Sequence, residues 1–112
     1  MSGVTFLVES FQVSDGSNSI FWNGKKLITR GHLICSGEDY RFLVYFVDNN
    51  DVIPKPRYIN KYKLGAIFVA NSDREAYIKL SKEKEPVYAY LNAQAPELNC
   101  LSVNEPVREQ FF

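Results

Sequence analysis

Histidine occurs once in this 112-residue chain and cysteine twice, with no CxxC pair. A structural zinc site needs about four ligands and a catalytic one about three. The nitrogen and sulfur donors therefore fall short of a structural set. His32 and Cys35 stand three positions apart, so on a strand they point to opposite faces. They form neither a local nucleophile–base pair nor a chelate. Two cysteines close one bridge at most, which excludes a disulfide-built scaffold. We expect Cys35 and Cys100 to be reduced, and no metal or cofactor.

Long apolar runs are missing too. Nothing approaches the roughly 18 residues that a membrane-spanning helix requires. Residues 1–9 carry no basic region, Glu9 interrupts their short apolar run, and no Asn-x-Ser/Thr acceptor occurs. These absences lead us to expect a cytoplasmic protein without membrane contact, in a host cytoplasm if the gene is viral. Excess charge of either sign is absent, with thirteen Lys plus Arg against thirteen Asp plus Glu. That excludes a histone-like polycation, an acidic disordered tail and a bulk-charge membrane binder.

Catalytic motifs are equally scarce. No glycine-rich phosphate loop is present. Ser36-Gly37 is too short for a nucleophile elbow. The run from Asp48 to Asp51 has Ile53 and Ile59 at the sixth and twelfth positions, where a calcium loop needs Gly and Glu. It reads as a solvated turn. We therefore expect no catalytic residues and a non-enzymatic role.

What the chain does have is aromatic content: eight Phe, seven Tyr and one Trp. That composition favours strands, and most apolar positions repeat at period two. Val4 to Val13 reads as a first strand whose alternation slips near Glu9 or Ser10, as a β-bulge would cause. Asn23-Gly24, between Ile20-Phe21-Trp22 and Lys25-Lys26-Leu27-Ile28, predicts a two-residue hairpin. On its second arm Leu27, Thr29, Leu33 and Cys35 are expected on one face, with Ile28, Arg30, His32 and Ile34 on the other. Tyr40 to Val47 is apolar on both faces apart from Arg41, which marks a central strand. Asp48 to Lys63, with Pro54 and Pro56, is irregular, with a short helical turn near Tyr58 to Tyr62. Leu64 to Ala70, Glu75 to Leu80 and Val87 to Leu91 follow as strands. The last two are read as hairpin partners, and a weak final strand involves Leu98, Leu101 and Val103.

The resulting fold expectation is all-β: a small antiparallel, OB-like barrel of about five to seven short strands, or alternatively a two-sheet β-sandwich. Residues 1–92 form a single domain, and 93–112 an extended C-terminal arm packing on it or trailing from it. Leu33, Phe42, Val44, Phe46, Ile67, Val69, Ile78 and Val87 are the expected core.

The neutral total conceals two basic segments. Residues 16–37 hold no acid and carry Lys25, Lys26 and Arg30. Residues 52–72 hold no acid and carry Lys55, Arg57, Lys61 and Lys63, interleaved with Tyr58 and Tyr62. Such interleaving suits a single-stranded nucleic acid: cations track phosphates while rings stack on bases. In the expected hairpin Tyr77, Lys79, Tyr88 and Tyr90 share an outer face and extend this surface. The leading expectation is thus a single-stranded nucleic-acid-binding module using Lys55, Arg57, Tyr58, Lys61, Tyr62, Lys63, Tyr77, Lys79, Tyr88 and Tyr90. The alternative is a protein–protein module (an adaptor, assembly subunit or inhibitor of a host enzyme), because tyrosine also marks interface cores. A homo-oligomer fits either.

Overall fold

The computed structural model describes residues 3–22, 24–48, 53–82 and 86–102. Asn23, the 49–52 part of the acidic run, the connector residues 83–85, and Val103 with the rest of the C-terminal arm lie outside them. The elements in chain order are β1 (Gly3–Leu7), β2 (Ser10–Ser14), β3 (Asn18–Trp22), β4 (Lys25–Gly37), β5 (Tyr40–Val47), β6 (Arg57–Ile59), β7 (Leu64–Ala70), α1 (Arg74–Lys82), β8 (Tyr88–Asn92) and β9 (Cys100–Ser102). Short 3-10 turns occupy Asn60–Tyr62, Asn71–Asp73 and Pro96–Leu98. The protein is thus mostly β, in two sheets, with one short helix. The small sheet has the order β1-β8-β9, and the large one β2-β4-β5-β7-β6, with β3 also paired to β4. The described strands do not close into a barrel.

The expected slip near Glu9 is real but is not a bulge. The Val8 N–H donates to the Val87 carbonyl at 2.9 Å, and the Glu9 N–H to the Ser36 carbonyl at 2.7 Å. The chain leaves the small sheet and enters the large one between these two residues. The apolar phase changes because the partner sheet changes.

The expected hairpin forms between β3 and β4. Trp22 pairs with Lys25 across a two-residue loop, and Gly24 adopts φ +78°, as a tight hairpin turn requires. A bulge does occur, further along β4. The register with β5 passes from Thr29↔Val47 to His32↔Tyr45, so β4 holds one extra residue. Gly31 sits there at φ +120°, and a Cβ on it would run into the Ser14 carbonyl. Only glycine meets both constraints.

The bulge corrects the expected face assignment. Leu33 and Cys35 enter the main core, whereas Leu27 lies in a second cluster with Val47 and Phe68. Thr29, paired with Val47, lies on the same face as Leu27. Both faces of the large sheet are apolar here, so odd-numbered burial continues through the bulge while the face reverses.

β5 is central, between β4 and β7. Its pairing with β7 is parallel, against the all-antiparallel expectation. Parallel neighbours need a long crossover. The irregular 48–63 segment supplies it, and β6 folds back antiparallel onto β7 on the way.

The largest correction is Glu75 to Leu80, which is helix rather than strand. Half-buried Arg74, Tyr77, Ile78 and Ser81 follow the i, i+3, i+4, i+7 spacing of one helix face. β8 consequently pairs with β1 and β9, and the expected hairpin of 75–80 with 87–91 does not exist.

The main core lies between the sheets and under α1. Phe6, Val8, Val87, Ala89 and Leu91 from the small-sheet side meet Leu33, Cys35, Phe42, Val44, Phe46 and Ile67 of the large one. Of the expected core, Val69 and Ile78 are only partly buried but pack against this cluster. Among the described residues no helix is long and apolar enough to cross a membrane.

Candidate functional site

The registers of the small sheet define its two faces. Phe6, Ala89 and Leu101 form a row that packs on the core. The alternate rows, Leu7–Tyr88–Ser102 and Thr5–Tyr90–Cys100, lie on the opposite, outer face. Leu7 is 42% exposed, Thr5 and Cys100 are exposed, and Tyr88, Tyr90 and Ser102 are half-buried. These two rows contain no charged residue.

A buried amide network holds this face in register with the basic strand. The Asn92 carboxamide oxygen accepts from the Gln94 and Ala95 N–H groups at 3.0 and 2.9 Å. Its amide nitrogen donates to the Tyr90 hydroxyl at 3.0 Å. Asn99 accepts from the Asn92 N–H at 2.7 Å and donates to the Arg57 carbonyl at 3.3 Å. Both asparagines are buried, and their side chains find hydrogen-bond partners within the protein, as buried polar groups do. Through Asn99 the edge strand β6 is tied to the turn that precedes β9.

The basic segment is split by this arrangement. Lys55, Arg57, Lys61 and Lys63 are exposed. Tyr58 turns inward and packs against the main core. Burial raises its phenol above the ordinary tyrosine value, and the Tyr40 charge adds to that. Tyr62 stays 63% exposed. The Lys61 ammonium lies 5.5 Å from the Tyr62 ring centroid, and the Lys63 ammonium 5.4 Å from that of Tyr40.

Tyr77 and Lys79 do not join Tyr88 and Tyr90. Tyr77 packs from α1 against Phe46, with ring centroids 6.3 Å apart and planes at 54°. Burial raises its phenol, with smaller contributions from Asp73 and Cys100. Lys79 lines a separate groove between α1 and β2, with Val13, Asp15, Arg74 and Lys82.

A further cleft of about 510 Å³ escaped sequence reasoning. Ser10, the Gly37–Arg41 turn and Tyr62 line it, together with Glu9 and Ser36. Glu38 and Asp39 both adopt positive φ, at 50° and 69°, in the two-residue β4–β5 turn, and Lys63 does so at 51°. The cleft joins three segments distant in sequence, and no local motif announces it. Its carboxylates Glu9, Glu38 and Asp39 stand beside the basic segment and oppose a polyanion there.

Both thiols are free. Burial pushes Cys35 up to about 12, so this thiol is inert at neutral pH. Cys100 is exposed as a residue, while partial desolvation of its sulfur raises its pKa. His32 packs beside Tyr45, which in turn stacks on Phe68, at centroid distances of 5.8 and 5.3 Å. Among the described residues no group of three or more His, Cys, Asp or Glu converges to hold a metal. Comparison with known proteins finds no matching family model, no matching curated protein and no matching solved structure.

Proposed function

We propose that the chain is a non-enzymatic binding module that docks a protein partner on the outer face of the small sheet. One observation carries this reading. The rows Leu7–Tyr88–Ser102 and Thr5–Tyr90–Cys100 present tyrosine, aliphatic and small polar side chains without a charge. Interface cores are depleted in charged residues and enriched in tyrosine. The Asn92 bond to the Tyr90 hydroxyl pre-positions that ring, which lowers the ordering cost of binding.

Single-stranded nucleic acid is the second reading, favoured by exposed Tyr62 between Lys61 and Lys63 with Arg57 nearby in sequence. The loss of Tyr77 and Lys79 from the tyrosine face, the inward turn of Tyr58 and the neighbouring carboxylates weigh against it.

A photo-crosslinking side chain placed at Tyr88, Leu7 or Lys79 tests the proposal in the cell of origin. A discrete protein adduct is expected from positions 88 and 7 and not from 79. The parallel arm is an anisotropy titration with labelled single-stranded DNA and RNA at low and physiological salt. Salt-dependent binding that Lys61→Ala weakens, without a protein adduct, replaces the first reading with the second.

A further inference from the structure

We draw no further inference here: the strongest candidate, the groove of about 880 Å³ between α1 and β2 lined by Val13, Asp15, Arg74, Ile78, Lys79 and Lys82, carries none, because its free cations are exposed surface lysines, its guanidinium is already paired with Asp15, and nothing in the structure shows what covers it.

Discussion

Replacing Phe46 by alanine probes the joint between the core and the helix. Phe46 is 0% exposed. Its ring meets Tyr77 and lies 5.8 Å from the Arg74 guanidinium. Truncating a buried phenylalanine costs about 3–5 kcal/mol. An aromatic pair adds about 0.5–1.5 kcal/mol beyond its buried area, which places Phe46→Ala in the upper half of that range. Phe42 is equally buried, yet Phe46 carries the ring contacts to α1. Phe42→Ala should therefore fall lower in the same range. A small domain is stable by about 5–15 kcal/mol, so both variants should remain folded in water with clearly reduced urea midpoints. Far-UV circular dichroism during urea titration measures the losses. Amide exchange across 74–82 separates the two variants, because only Phe46→Ala should accelerate opening of α1. A loss under about 1 kcal/mol at both positions would refute the placement of β5 at the centre of the fold.

Asn99→Ala leaves the buried Asn92 N–H and the Arg57 carbonyl without their partner, at a cost of about 1–3 kcal/mol. Urea titration measures the loss, and faster exchange in β6 and β9 should accompany it. Gly31→Ala combines φ +120° with a clash at the Ser14 carbonyl, so a lowered melting temperature is expected, whereas Gly16→Ala meets open space and should be nearly silent. With a neutral thiol reagent, Cys100 should label in the native protein and Cys35 only on unfolding; equal rates would contradict the burial of Cys35. Cys35 is raised from 9.0 to about 12, so the native state keeps a proton that the unfolded chain releases in that interval. Stability should therefore be unaffected by this group below pH 9 and fall as pH rises towards 12, by up to about 4 kcal/mol. Cys35→Ala should flatten that alkaline limb.

Local rules carried the reading where they had no competitor. Asn23-Gly24 marked its hairpin, and the apolar blocks at 40–47 and 64–70 matched strands to the residue. Two conflicts misled it. In 75–80 the apolar residues Ala76, Ile78 and Leu80 alternate, yet Arg74, Glu75, Ala76, Lys79 and Leu80 are good helix formers. Burial of only one side of the segment let the helical period win. In β4 an extra residue reversed the face while apolar burial continued, because both sides of the sheet are covered at that point. Of the site, the exposed lysines and the two β8 tyrosines were legible as residue types. Their separation from Tyr77 and Lys79 followed from the helix. The Asn92–Asn99 network and the cleft at Glu38-Asp39 depend on contacts between distant segments, which no local pattern records.

The passage of one continuous strand between two sheets also sets an order of assembly. β2 finds β4 within a short stretch of chain, so the large sheet can begin to form as soon as residues 10–47 exist. β1 must wait, since Gly3 pairs with Asn92 and Leu7 with Tyr88. β1 is thus among the last strands of this fold to find its partner, with Phe6 uncovered meanwhile. Contacts between residues so far apart in sequence slow folding and prolong exposure to association. A nascent chain stopped before β8 has no route to cover that strand, so chaperone dependence should persist until β8 can pair with it.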